Sequence, residues 1–111
     1  KAPPSVGATP LFMASQEGYD DIVSTLLEKG ARDVLDKPET LSQQTPLNIA
    51  AYNGHIGVVK VLLAAGANPR KKSEWGDARS RAIRSRHHDV VAIINKHLIA
   101  VNESLRTLKK K

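Results

Sequence analysis

The chain has 111 residues, enough for one domain, and 41% of them are hydrophobic but only 4% aromatic, so its core must be mainly aliphatic. It contains no cysteine, which excludes disulfides and thiolate metal sites, and no apolar run approaches the roughly 18 residues of a membrane-spanning helix. The net charge of +6 is uneven: residues 1–69 carry 5 basic and 7 acidic side chains, whereas residues 70–111 carry 12 basic and 4 acidic ones. We expect an intracellular protein, since the composition suits a reducing compartment, with a C-terminal third that attracts acidic partners.

The first predicted elements are a pair of helices within residues 9–30. Thr9 and Pro10 indicate a helix start, because Thr caps free amides and Pro fits the first turn without losing a hydrogen bond. Gly18 ends that short helix, and residues 19–29 carry apolar side chains with the spacing of one helix face. Gly30 then provides a cheap left-handed cap. The chain opens without an initiator Met or an apolar leader, so we expect a fragment of a larger protein.

A second pair of helices is predicted because the same residue types recur 36 positions later. The recurring set is Thr45, Pro46, Leu47, Ala50, Gly54, Val58, Val59, Leu62, Leu63, Gly66 and Ala67. A pair of short helices cannot bury both of its apolar faces alone. Neighbouring pairs must therefore stack, which predicts a linear array.

The order of these residues from Thr45 to Asn68 closely resembles the ankyrin repeat. The resemblance implies an all-α solenoid of helix-turn-helix units linked by β-hairpin-like loops. It also implies that the loop tips and the first helices line a concave binding face. We expect a single domain, with repeat 1 at about 8–36, repeat 2 at about 45–76, and a degenerate capping repeat with a C-terminal helix at about 77–108.

Two departures from the repeat pattern lie in the first two units. The period of 36 exceeds the usual 33, so the loop over residues 33–44 is predicted to be longer and less regular, and Gln43 replaces a glycine. The His that follows Thr-Pro-Leu in the family is Phe12 in the first unit and Asn48 in the second. We expect some hydrogen bonding between repeats to be lost or replaced.

The third unit is harder to align. Gly76 keeps the loop glycine, but the Thr-Pro-Leu positions read Ala78, Arg79, Ser80, or Asp77, Ala78, Arg79 if the register slips by one. Residues 90–94 still predict a second helix. Apolar residues continue to Leu108, so this helix either runs past the usual stop or is followed by a short capping helix, and residues 109–111 are expected to fray.

The pattern predicts which side chains are buried and gives no support for catalysis. The predicted core is Leu11, Ala14, Ile22, Leu26, Leu47, Ala50, Val58, Leu62, Val91 and Ile94. His87 and His88 are adjacent and point about 100° apart on a helix, so they cannot share one metal ion. We expect a protein that is not an enzyme and that uses neither a cofactor nor a metal, with a structural role for His55.

The candidate function is binding of a protein partner, possibly through an acidic segment, by a monomeric module. The expected partner-binding residues lie on loop tips and first helices: Leu41, Ser42, Gln44, Tyr52, Asn53, Glu74, Trp75, Asp77 and Arg84. Trp75, the only tryptophan, is the expected anchor, although it could instead fold back as a local lid.

A basic patch offers a second interpretation of the same region. Its expected members are Arg70, Lys71, Lys72, Arg79, Arg81, Arg84 and Arg86. They could bind a polyanion, either nucleic acid or an anionic membrane, or serve only as a solubilising cap. Polyanion binding ranks second because stacking aromatics are scarce.

Overall fold

A computed structural model describes residues 8–109 as a helical array. Within this part of the chain there are six α-helices and one short 3₁₀ helix, and the expected all-α class is confirmed. Residues 1–7 and 110–111, including most of the segment expected to fray, lie outside the described residues. The α-helices are α1 Pro10–Glu17, α2 Asp20–Glu28, α3 Pro46–Asn53, α4 Ile56–Ala64, α5 Ala78–Arg84 and α6 His88–Lys109, and the 3₁₀ helix is Ala31–Val34.

The helices form two layers. Helices α1, α3 and α5 lie side by side in one layer, while α2, α4 and α6 form the second, and each unit joins one helix from each layer. Aliphatic side chains between the layers are fully buried, with Leu47, Val58, Leu62 and Ile94 at 0% exposure. The stacking predicted from the repeat therefore builds one continuous core.

The first helix of every unit begins with the same capping geometry. The side chains of Thr9, Thr45 and Asp77 each accept a hydrogen bond from the backbone N–H three residues later. Asp77 therefore occupies the Thr position of the third unit. Of the two registers considered for that unit, the one that reads Asp77, Ala78, Arg79 is the observed one.

The turn after each first helix is left-handed. Gly18 and Gly54 have φ values of +80° and +75°, and in the third unit Arg86 takes the same place with φ +63°. A residue with a Cβ is disfavoured in this conformation, so the backbone of Arg86 is strained where that of a glycine would not be.

Helix α6 runs well past the point where the earlier second helices stop. Gly30 and Gly66, which follow the ends of α2 and α4, have positive φ, whereas the aligned residue in the third unit is Leu98. Without a left-handed residue the helix continues, and α6 reaches 22 residues. Of the two alternatives, the extended helix is correct.

The long loop before α3 is ordered around a buried carboxylate. Glu39 accepts hydrogen bonds from the Ser42 hydroxyl at 2.6 Å and from the backbone N–H groups of Ser42 and Leu41 at 2.8 and 3.2 Å. Its own backbone pairs with Gln43 and Gln44. Gln43, in the position of the missing glycine, has φ +60°. The loop is thus a compact turn held by Glu39.

Asn48 replaces the expected histidine between units. Its side chain accepts from the Thr45 N–H at 2.9 Å and donates to the backbone carbonyl of Lys71 at 3.2 Å. The hydrogen bond between repeats is therefore replaced at this position.

The predicted core needs correction at Ile22, and two other members are less buried than expected. Ile22 is 49% exposed, and Val23 is the fully buried neighbour. The equivalents of Ile22 in the next units, Val58 and Val90, are buried between neighbouring helices. Helix α2 packs chiefly against α1 and α4, so it lies at the edge of the described array and its outer side stays open. Leu26 and Val91 are half-buried, and the other predicted core residues are buried.

Candidate partner-binding surface

Two loop tips lie next to each other beside the first helices. The backbone N–H of Glu74 donates to the carbonyl of Ser42 at 3.1 Å, which ties the second loop to the first. Leu41, at the tip of the first loop, is 71% exposed. The two loops therefore present one shared edge.

The second loop is a tight turn that fixes the position of Trp75. Ser73 and Gly76 form an isolated antiparallel bridge, and the Ser73 hydroxyl also donates to the Gly76 carbonyl. The backbone N–H of Trp75 donates to that same hydroxyl at 3.1 Å. Gly76, with φ +111°, makes the turn possible.

Trp75 and Tyr52 flank a single guanidinium group. The central carbon of the Arg81 guanidinium lies 3.9 Å from the centroid of the Tyr52 ring and 5.1 Å from that of the Trp75 ring. Both distances are within the range of cation–π attraction. We call these three residues the aromatic clamp. It joins α3, α5 and the second loop at one place on the surface.

Arg81 was expected in an exposed basic patch, and the structure corrects this. The residue is only 7% exposed, because its side chain packs against Tyr52 of α3; Ile49, at the same position of the second unit, is also buried. Its Nη2 donates to Gln44 Oε1 at 3.1 Å. Gln44, expected on the binding surface, is itself buried.

The other basic residues are spread over several elements. Arg70, Lys72, Arg79, Arg84 and Arg86 are exposed, whereas Lys71 is half-buried. Arg79 turns toward α6, where its Nε donates to Asn95 Oδ1 at 2.7 Å. These cations lie on a loop, a helix and a turn, so they do not all project from one element.

Several of the expected partner-binding residues are already engaged in the fold. Asn53 donates to the carbonyl of Gln16, and His55 Nε2 lies 2.9 Å from the same oxygen, which helps to satisfy the end of α1. Asp77 caps α5. Ser42 is half-buried and donates to Glu39, whereas Glu74 and Arg84 are exposed.

Sequence reasoning missed the aromatic clamp because the register of the third unit was open. Once Asp77 is aligned with Thr45, Arg81 falls at the position of Ile49, which is buried. An arginine at a buried position of the repeat is the signal that could have revealed it.

The described residues show neither a metal-binding cluster nor a membrane span. No three His, Asp or Glu side chains among residues 8–109 are placed to hold an ion. No helix in the same range combines the length and the apolar character needed to cross a bilayer.

A family model described as ankyrin repeats (3 copies) matches residues 2–73. The chain is 43% identical over 68 residues to alpha-latrocrustotoxin-Lt1a of Latrodectus tredecimguttatus, an alignment that covers 61% of this chain and 5% of that protein.

Two further relatives show how small a part of each protein the similarity covers. Identity to ankyrin repeat domain-containing protein 17 of Homo sapiens is 38% over 71 residues, covering 64% of this chain and 3% of that protein. Identity to palmitoyltransferase Hip14 of Drosophila melanogaster is 39% over 74 residues, covering 67% of this chain and 11% of that protein. The chain therefore spans about a tenth or less of these relatives.

Proposed function

Because the chain belongs to the ankyrin-repeat family, whose repeats are generally protein-interaction modules, we propose that it binds an extended segment of a partner protein on the surface around the aromatic clamp. The partner segment contacts the loop tips and the first helices. The chain contributes recognition and no catalytic step.

One observation carries this proposal: two large aromatic side chains stay half-exposed at the same place. Trp75 is 51% and Tyr52 40% exposed, although both are held in position by Arg81. Rigid aromatic side chains lose little entropy on binding and are enriched among residues that dominate interface energy. Exposed Leu41 on the neighbouring loop extends the apolar contact area.

The test compares capture of partners from a nuclease-treated cell lysate by the wild type and by Trp75→Ala. Truncation of an interface anchor should weaken binding of the captured partner by about 2 kcal/mol or more. Ile99→Ala serves as the matched control, because Ile99 is 61% exposed on α6, in the other layer. Equal losses in the two variants would rule out the proposed surface.

The exposed cations support a second candidate, binding to a polyanion. Arg70, Lys72, Arg84 and Arg86 are all exposed in the basic third of the chain. If phosphates are bound, log affinity should fall linearly with log salt, and each arginine removed should flatten the slope. Binding that collapses between roughly 50 and 200 mM salt yet ignores Trp75→Ala would favour this candidate over the first.

A further inference from the structure

The least usual feature of the molecule is a buried positive charge with no counter-charge. Arg81 is 7% exposed, and its guanidinium lies against the rings of Tyr52 and Trp75. The one ion pair found within residues 8–109 joins Arg106 to Glu103 on α6. No carboxylate of the described chain therefore neutralises Arg81.

The hydrogen bonds of Arg81 are also incomplete. Its Nη2 donates to the neutral side-chain oxygen of Gln44, and its buried Nε has no acceptor in the described part of the chain. Arg84 adds a second positive charge nearby. Burial lowers the pKa of Arg81 below its usual value, but arginine stays protonated at neutral pH.

A charge in this state is costly unless an anion joins it. Buried charges in proteins are ordinarily paired, since removing an ion from water without a partner is unfavourable. Burial and the adjoining aromatic rings keep most water from Arg81, which strengthens its attraction to any anion that reaches its exposed part. A ligand that carries negative charge would therefore be bound favourably at this site.

We infer that the aromatic clamp is a recognition site for the carboxylate of a Glu or Asp side chain in the partner segment. The carboxylate pairs with the exposed part of the Arg81 guanidinium, while the methylene groups of the acidic side chain contact Tyr52 and Trp75. This inference rests on the proposed function and names the partner chemistry at its centre.

The low exposure of Arg81, 7%, favours a peptide side chain over a broad anionic surface. A single side chain of an extended segment can reach a mostly buried group, whereas a bilayer surface or a nucleic-acid duplex would engage exposed cations such as the neighbouring Arg84 more readily. We therefore commit to an acidic peptide segment, and the experiment treats the other anions as competing outcomes.

The test uses pools of nine-residue peptides with random sequence except for a fixed central residue. The pools carry Glu, Asp, Gln or Asn at that position, and their retention on the immobilised chain is measured. We expect the acidic pools to be retained at least about tenfold more than the amide pools, since hydrogen bonds to charged groups are markedly stronger than neutral ones.

Three variants localise the effect. Arg81→Gln should abolish the preference for acidic pools, and Arg81→Lys should keep a weaker preference, because it retains the charge but loses the planar group that stacks on the rings. Arg79→Gln is the control, since it removes one exposed positive charge from the same helix. Circular dichroism of each variant checks that it is folded, and Arg81→Lys keeps the test decisive if Arg81→Gln does not fold.

Several results would overturn the inference. Equal retention of acidic and amide pools, no retention of any pool, or an equal loss in the Arg79 and Arg81 variants would each do so. A single-stranded oligonucleotide or phosphatidylserine vesicles that bind in an Arg81-dependent way, while the acidic pools do not, would assign the site to another ligand. Loss of lysate capture by Trp75→Ala without any acidic preference would overturn this inference and leave the proposed function standing.

Discussion

At the scale of single residues, Arg86 has a backbone conformation that its side chain disfavours. It takes the left-handed turn that Gly18 and Gly54 take in the other units, with φ +63°. A non-glycine residue in this region costs about 1 kcal/mol or more.

We expect Arg86→Gly to stabilise the protein by about 1 kcal/mol, because glycine removes the Cβ that makes this turn unfavourable. Urea denaturation followed by circular dichroism measures the change. Arg86→Ala is the control, since it removes the charge and keeps the Cβ. If the alanine variant gains as much stability, charge repulsion and not backbone strain is the cause.

Glu39 gives the protein a predicted dependence on acid. The Ser42 hydroxyl donates to its carboxylate and, with two backbone N–H groups, holds the pKa of Glu39 below its usual 4.5 despite burial. A carboxyl with a lowered folded pKa contributes stability that is fully present above its unfolded pKa and is lost as pH falls through the folded value.

The melting temperature of the wild type should therefore fall below about pH 4.5, and that of Glu39→Gln should fall less over the same range. Thermal denaturation at a series of pH values from neutral to acidic tests this. Parallel curves for the two proteins would show that Glu39 does not contribute the expected proton linkage.

At the scale of helices, the end of α6 depends on the residue type at one position. Gly30 and Gly66 are left-handed just after α2 and α4, whereas Leu98 keeps α6 helical through Lys109. The last turns of α6 contact little else, since Ile99, Leu105 and Leu108 are exposed.

Leu98→Gly should make amide hydrogens of residues 99–109 exchange faster, because glycine weakens the helix and permits a left-handed stop. Hydrogen exchange measured by NMR gives the comparison. Ala92→Gly is the control: it lies at an exposed position of the same helix and lowers the helix propensity by a similar amount, but the turns around it are packed against the array. Unchanged protection in Leu98→Gly would mean that other contacts hold the end of α6.

At the scale of the whole molecule, stability depends on the core shared between units. Leu62 is fully buried in α4, the helix that packs against both α2 and α6. Leu62→Ala should destabilise the protein by about 2 to 5 kcal/mol through lost contacts and a residual cavity. The free energy of unfolding of a domain is only about 5 to 15 kcal/mol, so this substitution would remove a large part of it.

The measurement is chemical denaturation beside the control Ile22→Ala. Ile22 is an apolar side chain of similar size on the exposed side of α2, and its truncation should cost much less. Similar losses in both variants would contradict the assignment of the core.

The sequence predicted the fold in outline because the repeated residues encode both caps and core. Thr45 and Pro46 start a helix by local chemistry, and Leu62 is buried by the same stacking in any such array. Ile22 was wrongly predicted to be buried. Its burial would require a neighbouring unit on the outer side of α2, and the spacing of apolar residues within one helix does not indicate whether such a unit is present.

The candidate site was only partly predictable for a related reason. Trp75 and Tyr52 were recognised as unusual residues, but their contact through Arg81 joins positions far apart in sequence. That contact requires the register of α5, which the residues Asp77–Ser80 left open. Side-chain contacts between different units are thus the feature that is hardest to predict from a single sequence.

The stacking of neighbouring units also constrains which substitutions can occur together. A Cβ added at Gly18 would lie 2.6 Å from the His55 ring, and one added at Gly54 would lie 2.6 Å from the His87 ring. Each glycine and the histidine of the next unit therefore form a pair whose members can change only in concert over evolution. Arg86 occupies the equivalent turn after α5, a helix that packs chiefly against α3 and α6. Its backbone is left-handed like that of the two glycines, but no histidine of a further described unit packs against it. Sequence drift at this turn is therefore expected to be faster at Arg86 than at Gly18 and Gly54.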